Sequence, residues 1–366
     1  MRRHFLFFIF LVLIIVVVLW AVSLSKIRPV LFADLNVCSN KDTPINLSIV
    51  GDLLIGKGRA WQQIVGDDYG PDILGDYFET IEQSDLVFAN FEGIISKDNK
   101  PRPKNLPKSF SIAVDPSVIR FFANFKKIIL YFANNHSADY GRDAIEDTID
   151  LLKKSDISYV GIGYNLQESI TPRIQELSGT RIAFLAFTDL LPSEYYASEK
   201  QLGVSELTES NLKASITLAK QSADFVVVSL HTAKNVGEPF SFWPDSHQKM
   251  FYRSAVDYGA DLVIGQHPHG LQQVEKYNGK LIFYSLGLFI YDPLVSQRYS
   301  YTNPLFKSIQ FNGGGILTLK VCKEGIRGFT LTPIRVVYSK EILRIKAASI
   351  LDKLITKINI LQLQDE

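Results

Sequence analysis

The chain has 366 residues, with 39 basic and 38 acidic side chains and a formal net charge of +1. This balance creates no overall field that would attract nucleic acid, and the sequence shows no local basic patch that would do so. Its two cysteines, Cys38 and Cys322, are too few for a disulfide framework or a thiolate metal cluster. They either form one disulfide outside the cell or remain two free structural cysteines.

An uncharged apolar segment runs from Phe5 to Ser25. About 20 apolar residues in a helix span a hydrocarbon core of about 30 Å, so we expect a transmembrane anchor over residues 1–25. The segment exceeds the apolar core of a typical signal peptide, which favours an uncleaved anchor, although the small residues at 21–23 keep cleavage open. Basic groups before the segment slightly outnumber those after it. We therefore expect a single-pass protein of the cell membrane whose soluble domain is extracytoplasmic.

Residues 26–44, which end in the polar run CSNKDTP, are predicted to be a linker. Beyond them, short β-branched runs such as INLSIVG, DLVFANF and DFVVVSL alternate with segments of helical periodicity. This alternation predicts an α/β fold, which we assign to one large domain over residues 45–338. Apolar residues at helical spacing from Ile342 to Ile358 predict a C-terminal helix over residues 339–366.

Polar side chains with metal-binding or acid–base chemistry are concentrated where the apolar runs end. Because α/β folds place their chemistry at the carboxyl ends of strands, these residues predict one pocket. His247, at the start of a predicted helix, is expected to be an ordinary residue. The candidates are Asp52, Glu92, Asn135, His136, Asp139, His231, His267 and His269.

The ordered motifs SIVGDLLIGKG, DLVFANFEG, FANNHSADYG, SLH, GADLVIGQHPH and YSLGLF resemble the capsule-synthesis protein CapA family. That family is associated with poly-γ-glutamate and belongs to the calcineurin-like metallophosphatase superfamily. The resemblance covers about residues 46–292. It implies a four-layer αββα sandwich, a membrane-tethered role in capsule or polyglutamate handling, and a site descended from a two-metal phosphoesterase.

The resemblance also implies a role for each candidate. His136 resembles the catalytic histidine that contacts the substrate or protonates the leaving group, and Asp139 would orient its ring. Glu92 resembles the carboxylate that lies between two metal ions. Mixed imidazole, carboxylate and amide ligands suit divalent cations such as Mn, Fe or Zn without identifying one. The implied metal ligands are Asp52, Glu92, Asn135, His231, His267 and His269.

Three positions depart from the family pattern. Leu54 occupies the place of a common histidine ligand, so one of the two cations would be held more weakly or completed by water. Leu288 occupies an asparagine position in the YSLGLF turn. The tryptophan-glycine turn after the histidine strand reads HTAKNVGEPF, in which Glu238 either replaces the family's nearby glutamate or is unrelated to it.

Together these features predict a membrane-anchored CapA-like protein of capsule or poly-γ-glutamate biosynthesis with a metal-dependent hydrolase site. The bond cleaved would be a phosphoester by superfamily analogy, or an amide by the family's association with polyglutamate. The alternative is a non-catalytic assembly or transport component of a capsule-synthesis complex that keeps the fold, and a third reading is a metal-free receptor domain. The expected partners are the membrane, polyglutamate and capsule-synthesis components, and not nucleic acid.

Overall fold

Two large β-sheets organise the part of the chain that the computed structural model describes. The described residues are 31–34, 38, 43–55, 71–97, 111–123, 125–234, 243–291, 313–339 and 342–347. The strands are β1 Leu31–Asp34, β2 Ile45–Leu54, β3 Leu86–Phe91, β4 Ile94–Ile95, β5 Ala113–Val114, β6 Ile128–Tyr131, β7 Ser158–Val160, β8 Ile162–Gly163, β9 Arg173–Leu177, β10 Thr180–Thr188, β11 Gly203–Val204, β12 Phe225–His231, β13 Leu262–Gln266, β14 Val274–Tyr277, β15 Lys280–Phe283, β16 Leu288–Tyr291, β17 Gly313–Cys322, β18 Gly325–Ser339 and β19 Ile342–Ala347.

Seven α-helices occur among the described residues, and short 3-10 turns accompany them at 75–77, 116–118 and 193–195. The helices are α1 Pro71–Leu74, α2 Phe78–Glu82, α3 Ile119–Phe122, α4 Gly141–Lys154, α5 Leu166–Ile170, α6 Glu209–Ser222 and α7 Ser246–Asp257.

The first sheet has nine strands, and its main path is β1-β18-β17-β2-β3-β6-β7. Strands β2, β3, β6 and β7 are parallel neighbours, whereas β17 and β18 pair antiparallel. The second sheet has six strands in the order β14-β15-β13-β12-β10-β9, with four parallel strands between two antiparallel edge strands. Strands buried on both faces favour continuous β-branched runs, which explains sequences such as FVVVSLH in β12. The predicted mixed α/β architecture is confirmed.

The two sheets pack face to face. The rings of Phe88 in β3 and Phe184 in β10 lie 4.8 Å apart, centroid to centroid, within one large apolar core. A second apolar cluster lies between the opposite face of the second sheet and helices α6 and α7. Helix α4 buries Ile145, Ile149 and Leu152 in the core that contains the first sheet. The sheets therefore bury apolar side chains against each other and against the helices.

The region predicted as a linker contains part of the first sheet. Residues 31–34 form β1, which pairs antiparallel with β18, so the linker prediction is wrong for these four residues. Cys38 forms a disulfide with Cys322, which decides between the two alternatives left open above. Edge-strand pairing satisfies main-chain groups of β18 that would otherwise stay unpaired.

The segment Phe5–Ser25 lies outside the described residues, and none of the described helices is long and apolar enough to cross a membrane.

The predicted C-terminal helix is wrong for residues 342–347, which form β19 and pair antiparallel with β18. Leu343, Ile345 and Ala347 alternate with the basic residues 344 and 346, so the sequence also has the period of a strand. β1 and β19 pair with successive stretches of β18, and this tertiary pairing overrides the helical spacing. The remainder of the predicted helix lies outside the described residues.

The disulfide closes a long stretch of chain, because Cys38 and Cys322 are 284 positions apart in sequence. Replacing both cysteines (Cys38→Ser with Cys322→Ser) should lower the free energy of unfolding by about 2–5 kcal/mol, since the cross-link restricts the unfolded chain. Urea unfolding of the two proteins measures this change. In the native protein, a thiol reagent should label neither cysteine until a reductant is added. Equal unfolding midpoints for the two proteins would contradict the prediction.

Candidate metal centre

The candidate residues converge at the carboxyl ends of parallel strands in both sheets. Each is placed by the strand that precedes it, as expected for an α/β site. The residues and their strands are Asp52 near the end of β2, Glu92 directly after β3, Asn135, His136 and Asp139 after β6, His231 at the end of β12, and His267 and His269 after β13.

Two groups of ligand atoms share one carboxylate. Glu92, His231 and His267 form the first group, and Asp52, Glu92 and His269 form the second. In each group the ligand atoms lie within 4.8 Å of one another, a separation that a single cation between them can bridge. Glu92 is therefore the residue that the two groups have in common.

Glu92 is fully buried, and histidines from one strand end and two loops lie close to it. His269 Nε2 lies 3.2 and 3.1 Å from its two carboxylate oxygens. Glu92 Oε1 is also 3.9 Å from His231 Nε2 and 3.9 Å from His136 Nε2. A buried carboxylate is costly unless a positive group or a hydrogen-bond donor lies beside it, and His269 is the imidazole that lies within hydrogen-bond distance of Glu92.

Asp52 provides a buried oxygen that fits a cation. Its Oδ1 accepts a hydrogen bond from Asn90, whereas Oδ2 has no hydrogen-bond partner among the described residues. Oδ2 lies 3.8 Å from His269 Nε2. Burial and the nearby charge of Glu92 raise the pKa of Asp52 well above its usual value. A divalent cation beside Oδ2 would offset the cost of burying the Asp52 charge and its repulsion by Glu92.

His231 and His267 are held in the neutral form that metal ligands require. Their rings lie 4.9 Å apart, and burial lowers the pKa of both, with a further decrease from neighbouring histidines. The pKa of His267 falls to about 3. Its Nδ1 atom is buried and has no hydrogen-bond partner among the described residues. Two neutral imidazoles beside a carboxylate are a typical transition-metal ligand set.

His269 behaves differently from the other two histidines. Burial by itself would lower its pKa, but the charge and hydrogen bond of Glu92 and the charge of Asp52 outweigh burial and raise the pKa to about 9. The imidazolium of His269 thus supplies the positive charge that a cation would supply between the same two carboxylates. A cation bound there would compete with a proton for this site.

The backbone of the HPH turn is unusual. His267 and His269 adopt φ angles of 99° and 52°, in a region of backbone conformation that residues other than glycine rarely occupy. Such conformations cost free energy and occur mainly where function requires a particular side-chain direction. In this turn the two residues with positive φ place their imidazoles in different ligand groups.

Two asparagines that are not among the candidate ligands support the site. Asn90 Nδ2 lies 2.7 Å from Asp52 Oδ1 and 3.2 Å from His231 Nδ1, so one amide holds a residue of each ligand group. Asn134 donates to Asn90 Oδ1 at 3.0 Å and to the carbonyl oxygen of Phe91 at 2.8 Å. Only Asn134 was not anticipated from the sequence, and its position directly before Asn135 was the available signal.

Asn135 and His136 come from the loop after β6. Asn135 Oδ1 lies 2.8 Å from His231 Nε2. His136 Nδ1 lies 2.7 Å from Asp139 Oδ2, and that oxygen also accepts a hydrogen bond from the Ile112 N–H at 2.6 Å. The carboxylate of Asp139 therefore holds the His136 ring with Nε2 directed to the Glu92 side of the site.

The two leucines that depart from the family pattern pack together. Leu54 and Leu288 are both buried and form one small apolar cluster with Ile112. Ile112 is the residue whose N–H donates to Asp139. At the two positions where the resemblance implied a histidine and an asparagine, the structure therefore has apolar packing that adjoins the Ile112 contact with Asp139. Glu238 lies outside the described residues.

Gly51 allows a second segment to approach Asp52 closely. The N–H of Asp52 donates to the carbonyl oxygen of Gly287 at 2.8 Å. A Cβ atom at position 51 would lie 2.0 Å from that oxygen, so no larger residue fits. This contact joins the SIVGD and YSLGLF sequences at the site.

His247 lies outside both ligand groups, as predicted for an ordinary residue. Its Nε2 is 2.5 Å from Asp189 Oδ2, and its ring packs edge-on against Phe251. The residue lies in the first turn of α7, where Asp245 and Gln248 form a capping box. His247 therefore connects α7 to the loop after β10 and provides a matched histidine outside the candidate ligands.

Comparison with known proteins connects this site to a described family. The family model "Bacterial capsule synthesis protein PGA_cap" matches residues 46–293, a range that includes every candidate residue. The chain is 32% identical over 253 residues to the capsule biosynthesis protein CapA of Bacillus anthracis, covering 68% of this chain and 60% of that protein. It is also 32% identical over 253 residues to the PGA biosynthesis protein CapA of Bacillus subtilis, covering 69% and 64%.

The chain thus spans less than two thirds of the length of these two relatives. Among solved structures, a 5'-nucleotidase precursor of Thermus thermophilus matches with a TM-score of 0.41 and 10% identity, over 86% of this chain and 58% of that one.

The Asn90 contacts give a first test of the centre. Asn90→Ala removes the donor to Asp52 Oδ1 and the contact to His231, so the affinity for a divalent cation should fall by about 10–100-fold. Calorimetric titration with Mn²⁺ measures the change. Asn211→Ala, which removes an amide contact to the carbonyl oxygen of Glu206 before α6, is the control and should bind Mn²⁺ like the native protein. Equal affinities for both variants would show that Asn90 does not support the ligands.

Proposed function

The chain belongs to the bacterial capsule synthesis protein family, and from this premise we propose that it is a membrane-anchored, metal-dependent hydrolase of capsule or poly-γ-glutamate biosynthesis. The observation that supports the proposal most strongly is the pair of ligand groups that share Glu92. The CapA relatives of the two Bacillus species, whose names refer to capsule and PGA biosynthesis, support the process.

The proposed ligands divide between two divalent cations. Glu92, His231 and His267 would hold one cation, with Asn135 Oδ1 beside His231 as a further oxygen ligand. Asp52, Glu92 and His269 would hold the other. Because Leu54 offers no ligand atom, we expect the two cations to differ in affinity. Mn, Fe and Zn all suit this mixed ligand set.

Two cations at such a site supply an activated water and a positive charge that stabilises the developing oxyanion. The protein's own acid–base group is His136. Asp139 faces Nδ1 of that ring, so Nε2 is the atom that can hydrogen-bond a substrate oxygen or deliver a proton to a leaving group. Asp139 orients His136, and the main-chain N–H of Ile112 in turn holds Asp139.

The fold that we propose is the four-layer αββα sandwich of the calcineurin-like metallophosphatase type. Its support is the packing of the two sheets on each other, with α6 and α7 against the second sheet and α4 in the core of the first. Both sheets in such an arrangement direct the carboxyl ends of their parallel strands to one site.

We propose that residues 5–24 anchor the protein in the cell membrane and that the domain is extracytoplasmic. The support is the length and apolarity of this segment, together with a disulfide, which persists in oxidising compartments. The substrate would be a phosphoester or a γ-glutamyl amide of the polymer or its precursor.

A non-catalytic assembly or transport component is the second candidate function. The observation that favours it is the apolar cluster of Leu54, Leu288 and Ile112, because the family resemblance implied polar groups at the two leucine positions that would contribute to chemistry. In that case the cations would bind the polymer or stabilise the fold, and loss of His136 would leave capsule production unchanged.

The anchor is tested by membrane fractionation. Full-length protein should stay in the membrane fraction after a high-salt wash, because apolar insertion does not depend on charge. A chain that starts at Lys26, which keeps β1 and Cys38, should be soluble. Release of the full-length protein by salt alone would contradict the anchor.

The division of roles is tested by three histidine variants. His136→Ala should keep most of its bound metal and lose about 10²–10⁴-fold in hydrolytic rate, as expected for a positioned acid–base group. His267→Ala should lose metal and activity together, because it removes a proposed ligand. His247→Ala is the matched control and should keep both. Elemental analysis gives the metal content, and assays on phosphoester and γ-glutamyl substrates give the rate.

These variants also separate the two candidate functions. If His136→Ala loses metal as completely as His267→Ala, His136 is a ligand and the assignment is wrong. If cells that carry His136→Ala still produce capsule or polyglutamate at the native level, the assembly or transport role replaces the enzymatic one.

A further inference from the structure

The direction of β1 shows on which side of the domain the N-terminal segment leaves. β1 is antiparallel to β18, β18 to β17, and β17 to β2, so β1 runs opposite to β2. Because β2 runs toward the metal centre, β1 runs away from it. The start of β1 is therefore its end nearest the centre.

The strand register gives the position of that start. Leu31 is aligned with Leu331, Leu331 with Leu317, and Leu317 with Ile49, three residues before Asp52. At about 3.3 Å per residue, Leu31 lies about 10 Å short of the level of Asp52 along the strand. Three strand spacings of about 4.8 Å place β1 about 14 Å from β2 across the sheet.

Sheet twist changes this estimate without reversing it. Neighbouring strands turn by about 20–25°, so three steps rotate β1 by about 60–75° relative to β2. That rotation is less than a right angle. A line drawn along β1 from Asp34 back to Leu31 therefore still points partly toward the end of the domain that carries the metal centre.

The disulfide fixes the other end of this segment at the opposite side of the domain. Cys322 pairs with Gly325 across the hairpin turn that joins β17 and β18, and that turn lies at the end of the sheet remote from Asp52. Cys38 is bonded to Cys322 there. The chain thus passes from the centre side at Leu31 to the remote side at Cys38, so the point at which the preceding residues are attached lies on the centre side.

Residues 26–30 separate the apolar segment from β1. Ser25 therefore lies at most about 20 Å from Leu31, because an extended chain advances about 3.3–3.6 Å per residue. We propose that the metal centre faces the membrane surface and acts on substrate that is still close to the bilayer. This inference rests on the proposed anchor. It identifies the substrate as the membrane-proximal part of a polymer or precursor, and not polymer already released into the medium.

The orientation is tested with two labelled positions on the full-length protein in vesicles. Lys234 is exposed and lies three residues beyond His231, on the centre side. Asn278 is exposed in the hairpin turn before β15, which is parallel to β13, and so lies on the remote side of the same sheet. Because both native cysteines form the disulfide, Lys234→Cys and Asn278→Cys each provide one thiol for a fluorophore.

The vesicles contain phosphatidylcholine with a fraction of lipid that carries a nitroxide quencher on its headgroup. Flotation first establishes that the labelled protein is bound to the vesicles, and quenching is then compared between the two positions. We expect a clearly greater loss of fluorescence at position 234 than at position 278. The chain that starts at Lys26, labelled at the same positions, is the control and should show neither flotation nor position-dependent quenching.

Each outcome has a separate meaning. Protein that fails to float with the vesicles overturns the anchor, and the orientation with it. Protein that floats but shows equal quenching, or greater quenching at position 278, overturns the orientation and leaves the anchor in place.

Discussion

The structure of the site depends on the buried carboxylate of Glu92. It lies among imidazoles that come from two loops and one strand end and that belong to both sheets. A buried negative charge without compensation would be strongly destabilising, so the fold requires a compensating group beside Glu92 as well as the proposed ligands. One compensating charge comes from the imidazolium of His269, whereas His231 and His267 stay neutral.

This constraint explains why the polar groups near Glu92 are connected to one another. Asn90 contacts Asp52 and His231, and Asn134 holds Asn90. Each amide satisfies a buried group that would otherwise cost free energy, and it also fixes the direction of a proposed ligand. The fold contributes by bringing the strand ends of two sheets together, with apolar contacts such as Phe88 against Phe184 between them.

Much of this arrangement could be predicted from the sequence, because strands buried on both faces and polar residues at their ends leave a clear pattern. Asp52, Glu92 and His231 each follow a continuous apolar run, and the structure brings them together. Asn134 was missed because an asparagine near a strand end is indistinguishable from a turn residue until its partners are known. The disulfide remained open for the same reason, since pairing depends on distances that spacing does not give.

The errors occur where tertiary pairing outweighs local pattern. The residues of β19 have both helical and alternating periodicity, and only the edge of β18 decides between them. β1 is four residues long and carries almost no strand signal of its own, yet pairing with β18 places it in the sheet. Local sequence cannot show that one strand offers two successive stretches of the same edge.

The shared position of Glu92 is tested most directly by electron paramagnetic resonance of the protein saturated with Mn²⁺. Two cations that share this carboxylate would lie about 3.5–4 Å apart, as in other two-metal sites, and would give an exchange-coupled spectrum. Glu92→Gln should lose that coupling while His247→Ala keeps it. A native spectrum that shows only isolated Mn²⁺ at saturation, or no bound Mn²⁺, would contradict a centre built on Glu92.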